Sequence, residues 1–183
     1  MHNHGPATPN HGSMADIIRN HDWASTSLGP MSSWPPQLKC AVDIAIPSGA
    51  QIVMFCGHDF TAIYNDAYAP TIGAKHPNAL GRPAKENWAE LWDDLEPLLL
   101  KVREGGETIV AKDRPFYIER HGRPETVYFD ISYSPISDEH GQCSQCSASS
   151  MKPRNGLATR QNSSAWRQSS PRRKMQFSES TSP

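Results

Sequence analysis

Gln51-Ile52-Val53-Met54-Phe55-Cys56, then Gly57-His58-Asp59, then Phe60-Thr61-Ala62-Ile63-Tyr64, is the stretch whose reading decides the fold. Two short apolar runs rich in β-branched and aromatic residues flank a three-residue turn, the pattern of an antiparallel hairpin. Asn65-Asp66 offers side-chain caps for a short helix through Ala67-Tyr68. Ile72-Gly73-Ala74-Lys75-His76-Pro77 ends it.

Beyond this stretch, Trp88, Leu91, Trp92, Leu95, Leu98, Leu99 and Val102 recur at helical spacing on one apolar face. Gly105-Gly106 closes that helix, and Pro97 predicts a kink or a new turn within it. Two strands follow, Glu107 to Ala111 continuing towards Phe116-Tyr117-Ile118, and Val127 to Ser134. In the second, Val127, Phe129, Ile131 and Tyr133 alternate with polar partners, and His121-Gly122-Arg123-Pro124 is the turn between. Upstream, Ala15 to Trp23 reads as a short helix and Leu28-Gly29-Pro30 as a turn. Leu38, Ala41, Val42 and Ala45 mark an amphipathic helix over about 35–46 that starts at Pro35-Pro36. Residues 1–14, with His2, His4 and His11 among Gly, Pro and Asn, read as a disordered leader.

The 183 residues suit one ordinary domain with flanking segments. Only 37% are apolar and 16 are proline, so part of the chain is expected to stay outside the core. Residues 1–142 hold 18 acidic and 11 basic side chains, and 143–183 hold 1 and 7. No stretch has the ~18 consecutive apolar residues that a membrane span needs, and no secretory leader pattern appears. A cytoplasmic location follows, and the spacing of Cys40, Cys56, Cys143 and Cys146 forms no disulfide framework.

Few residues suggest chemistry. Cys143 and Cys146 have the spacing of a redox or zinc half-site without two further ligands. His58 and His76 fall in turns, where an exposed polar role outweighs haem ligation. Glu86, Glu90, Asp93, Asp94 and Glu96 share a helical region with Lys85 and Lys101, the pattern of a solvated face rather than paired catalytic acids. Arg172-Arg173-Lys174 is short and not interleaved with aromatic platforms, so nucleic-acid binding is not expected. No cofactor, metal site or catalytic residue is expected.

Several ordered blocks resemble a known family. Asp22-Trp23, Gly29-Pro30, Trp34-Pro35 and Leu38 are similar to the lead-in of many bacterial PAS-containing sensor histidine kinases. Tyr64-Asn65-Asp66-Ala67-Tyr68, then Ile72 to Pro77 and Leu80-Gly81-Arg82-Pro83, are similar to the PAS domain itself. So are Tyr128-Phe129, Ser132-Tyr133-Ser134-Pro135-Ile136 and Asp138-Glu139-His140-Gly141. The resemblance covers about residues 22–141. It implies an α+β PAS fold: a five-stranded antiparallel sheet, helices on one face, and a pocket between them. Tyr64, Trp88, Trp92, Phe116 and Tyr128 are the candidate lining residues, and the flavin-linking cysteine motif of blue-light sensors is absent.

The resemblance also implies a fifth strand lying between the first and the fourth. That strand should be apolar, yet the chain offers Cys143-Ser144-Gln145-Cys146-Ser147-Ala148-Ser149-Ser150. Cys codons begin UG and most Ser codons UC, so reading one base earlier puts U in the middle position, which encodes only apolar residues. One permitted back-translation of residues 145–157 gives Val-Phe-Cys-Ile-Val-Asp-Glu-Thr-Thr-Glu-Arg-Val, resembling the family's last strand and exit. A frameshift near codons 141–143 is therefore expected, with the central strand degraded and 142–183 a disordered, basic, out-of-frame tail.

The resulting expectation is a leader at 1–14, a helical lead-in at 15–48, a PAS domain at 49–141 and the tail. Its function would be that of a truncated, non-catalytic input module of a two-component sensor histidine kinase phosphorelay. Its partners would be a kinase output domain in the intact gene and a homodimer or PAS–PAS contact. The alternatives are a standalone PAS adaptor and, further off, a redox or metal-site protein.

Overall fold

The computed structural model of the chain describes residues 12–120, 123–138 and 143–153. Its hairpin forms as the sequence predicts. β1 (Gln51–Cys56) and β2 (Thr61–Tyr64) pair antiparallel, with Val53 opposite Tyr64 and Cys56 opposite Thr61. Phe60 stays in the turn, at φ 56°, so β2 starts one residue later than expected.

Among the described residues, five α-helices accompany the sheet. α1 (Met14–Asn20) starts at Ser13, whose hydroxyl accepts the Asp16 N–H at 3.3 Å. It stops short of Trp23 because His21 turns extended. α2 (Pro36–Ala45) buries Leu38, Val42 and Ala45 on one stripe. α3 (Ala69–Ile72) leads into a 3₁₀ turn at Gly73–Lys75. The long apolar stripe from Trp88 is not one helix. α4 (Ala84–Asn87) and a 3₁₀ turn at Ala89–Leu91 precede α5 (Trp92–Gly105), because Trp88 and Leu91 take φ near −120°. α5 continues through Pro97, where a kink or new turn was expected, and closes on Gly106 at φ 65°.

β3 (Ile109–Arg120), β4 (Arg123–Ser137) and β5 (Cys143–Pro153) complete the sheet, whose order is β2-β1-β5-β4-β3 with every pair antiparallel. β5 thus takes the central place implied for it, with Ser149 opposite both Val53 and Tyr133. Here the sequence expectation is corrected. The sheet runs to Pro153, so the domain does not end at 141 and residues 143–153 are not a disordered tail. Ladder hydrogen bonds are made by backbone groups, and two neighbouring strands offer them whatever the side chains. Residues 154–183 of the expected tail and 1–11 of the leader lie outside the described residues.

Every residue from Val53 to Cys56 and from Thr61 to Tyr64 is buried. Side chains on a strand alternate between faces, so both faces are covered here. α5 covers the face that carries Phe129, Ile131 and Tyr133, placing its own buried Leu95, Leu99 and Val102 there. Ile136, three residues past Tyr133, points the other way, onto a shallow groove that it borders together with Cys40, Ala41 and Ile44 of α2. α5 thus lies on one face of the sheet and α2 of the lead-in on the other, while Ser27 reaches Asp59 and Thr61 at the hairpin.

Asn65 fastens these parts together from a fully buried position. Its Oδ1 accepts the N–H groups of Ile52 and Tyr68, both at 3.1 Å. Its Nδ2 donates towards the carbonyls of Ala45, Ser48 and Ala50 at 2.8–3.0 Å. Asp66 accepts the Met14 N–H at 2.9 Å, tying α1 to the same place. In the lead-in, Trp23 and Trp34 meet edge to face at 4.8 Å, and their indoles donate to the Ile18 and Gly29 carbonyls.

The two sheet edges are finished differently. Along β2, Ala62 N–H donates to Arg82 O at 3.0 Å and Gly81 N–H to Ala62 O at 2.9 Å, so segment 81–84 caps that edge. On β3 the register shifts between Ala111 and Arg114, with Asp113 at φ 52°, and Pro115 follows.

Candidate ligand cavity

Between α5 and the sheet lies a small cavity of about 30 Å³, room for a water molecule or two. Its floor is Phe55 of β1, Phe116 of β3, Phe129 and Tyr133 of β4 and Met151 of β5. Its roof is Tyr68, Thr71 and Ile72 around α3, with Trp88, Leu91 and Leu95 before and within α5. Phe55 meets Trp88 edge to face at 5.4 Å, and Phe116 and Phe129 are tilted at 6.0 Å. Such offset pairs lock rings in place.

Two charged groups stand at the mouth. Lys75, at the end of the 3₁₀ turn after α3, donates its ammonium to the Glu90 carboxylate, and the two side chains are 24% and 20% exposed. Inside, the Tyr133 hydroxyl is buried with no hydrogen-bond partner. The Ser149 hydroxyl, also buried, lies beside it, outside normal hydrogen-bond geometry yet near enough to favour the ionised phenol slightly. Burial pushes the Tyr68 and Tyr133 phenols far above the usual tyrosine range, so both stay protonated.

Of the five expected lining residues, the structure brings Trp88 and Phe116 into the wall. Tyr64 is buried beside the cavity, its hydroxyl on His76 Nδ1 at 3.1 Å and near Pro77 O at 3.3 Å. Trp92 turns to Phe60, with ring centres 6.2 Å apart, and its indole N–H is buried without a partner. Tyr128 sits between two residues of the inward set, so the alternation of β4 carries it to the opposite face. The residues missed include Phe55, Tyr68, Lys75, Glu90, Phe129, Tyr133 and Met151. Phe129 and Tyr133 share the alternation read from the sequence, which was signal enough to choose them over Tyr128.

Other candidates fall elsewhere. Glu86 reaches Arg82 at 3.9 Å on an exposed face, and Asp93 and Asp94 occupy the first turn of α5, where negative charge suits the helix end. The side chains of Cys143 and Cys146 lie outside the described residues. Among the described residues no group of three or more His, Cys, Asp and Glu side chains could hold a metal ion, and no helix is long and apolar enough to cross a membrane.

No protein-family model matches the chain, and no curated protein matches it. Solved structures do. The PAS domain from Bordetella pertussis BvgS aligns with a TM-score of 0.52 at 21% identity, over 68% of this chain and 90% of that one. A sensory box sensor histidine kinase from Vibrio cholerae aligns at 0.46 and 14% identity, over 65% of this chain and 90% of that one. An RNA-binding Light-Oxygen-Voltage receptor aligns at 0.46 and 14% identity over 70% of this chain, which spans 36% of that receptor. The strand order, the central β5 and the BvgS likeness together define the PAS fold.

Proposed function

We propose that this chain is a sensory input module, the PAS portion of a cytoplasmic two-component sensor histidine kinase, with no catalysis of its own. The observation that carries the reading is an aromatic cavity whose wall includes Met151, two residues before β5 ends at Pro153. An occupant there touches the central strand close to the last of its described residues. Binding that favours one arrangement of β5 then biases whatever follows.

The frameshift reading belongs to the same proposal. Ser149 fills a fully buried place between Val53 and Tyr133, yet its hydroxyl makes no hydrogen bond of normal geometry, having only the Tyr133 hydroxyl near it. Such a place suits an apolar residue, and Ser149 is one of the positions that turns apolar one base away. Sequencing about a kilobase of genomic DNA past codon 141 tests this. A displaced frame encoding a phosphoacceptor helix and an ATP-binding region is expected. Continuous non-coding sequence in all frames defeats the kinase assignment and favours an adaptor, which light scattering would then show as a stable dimer of the full chain.

A further inference from the structure

We infer that the cavity accepts a small organic ammonium ion, which displaces Lys75 from Glu90. The inference rests on the sensory reading above and names its ligand class.

Six rings, Phe55, Tyr68, Trp88, Phe116, Phe129 and Tyr133, border the space. Aromatic faces carry negative potential and attract cations. The carboxylate of Glu90 stands at the mouth of this ring-lined space and already holds an ammonium, that of Lys75. Lys75 hangs from a 3₁₀ turn with its side chain 24% exposed. It can swing its charge into water on its flexible stem at little cost. A ligand cation then replaces it charge for charge, and Glu90 keeps a counter-ion throughout.

The Tyr133 hydroxyl supplies the second anchor. It is fully buried, lines the cavity and has only the Ser149 hydroxyl near it, outside normal hydrogen-bond geometry, so its oxygen is open to accept a hydrogen bond from an ammonium N–H. An anion of the same size would have to expel Glu90 or share the mouth with its charge. A neutral molecule would leave the Lys75–Glu90 pair in place and enter only the space that exists. That space is about 30 Å³, enough for one small head group, and the departure of the lysine tip enlarges it towards the mouth.

The test uses the full chain at constant ionic strength, read by tryptophan fluorescence and by thermal shift. The probes are methylammonium, methanol and formate, three molecules of similar size and different charge. Methylammonium is expected to bind roughly ten-fold more tightly than methanol, the scale of a partly desolvated cation–π contact, and formate not at all. Glu90→Gln should weaken methylammonium by a similar factor. Lys75→Met should tighten it by removing the resident competitor. Formate or methanol binding as well as methylammonium, or weaker binding to Lys75→Met, overturns the ammonium assignment while leaving the cavity a ligand site. Binding by no probe also overturns it, and the sensory reading then stands or falls on the downstream reading frame, a separate measurement. If a variant fails to fold, the three-probe comparison on the unaltered chain still decides.

Discussion

Asn65 shows how much one amide can hold. Its side chain reaches the end of α2, the turn before β1, β1 itself and the approach to α3, all without exposure to water. Asn65→Ala would leave several buried backbone groups unpaired at ~1–3 kcal/mol each. Denaturant unfolding should therefore show a loss of about 3 kcal/mol or more. Gly81 is a second fixed point: at φ +73° an added Cβ would sit 2.1 Å from His21 Nε2. Gly81→Ala should cost stability through both the backbone and the clash, and a melting curve should shift by several degrees. Ser149→Val should act in the opposite sense. It removes a stranded hydroxyl and adds apolar volume between Val53 and Tyr133, for a gain of about 1–2 kcal/mol. At this scale the site was half legible. Trp88 and Phe116 follow from helix spacing and strand content, whereas the Lys75–Glu90 contact joins residues 15 apart through a chain reversal that no periodicity announces.

Among the elements, α5 contains an avoidable defect. Pro97 is exposed in mid-helix and donates no hydrogen bond to the preceding turn. Pro97→Ala is expected to stabilise the chain by up to ~3 kcal/mol, readable in urea unfolding without a change in slope. The elements themselves were largely legible: the hairpin, α2 and the alternation in β4 each carry a period in the sequence. Two were not. The apolar stripe from Trp88 to Val102 keeps helical spacing across a break, because a 3₁₀ turn rotates the chain only slightly differently from an α-turn. β5 has almost no apolar period to read. It is a strand because β1 and β4 present matching backbone ladders on either side, which is information held by the rest of the molecule.

For the whole molecule, pH acts through burial from both directions. Tyr64, Tyr68 and Tyr133 have phenols raised well above the ordinary value of 10.0, in each case chiefly by desolvation. Below pH 10 their contribution is fully present. As pH rises past it, the unfolded chain loses protons that the folded chain keeps, so stability falls. His21 is the mirror case. Partial burial lowers it from 6.5 against the opposing charge of Asp22. Its contribution is present above pH 6.5 and fades on acidification, as the unfolded chain takes up a proton the folded one resists. A melting temperature measured across pH should therefore form a plateau that declines at both ends, and His21→Phe should flatten the acid side.

The bulge in β3 matters beyond the single chain. An uninterrupted outer strand would invite copies to stack edge on edge into fibres. Here Asp113 bends the ribbon out of line and Pro115 withholds an N–H, so the margin is interrupted near its middle. Concentrated solutions should stay dispersed, and straightening this corner by Pro115→Val is the change most apt to let them gel.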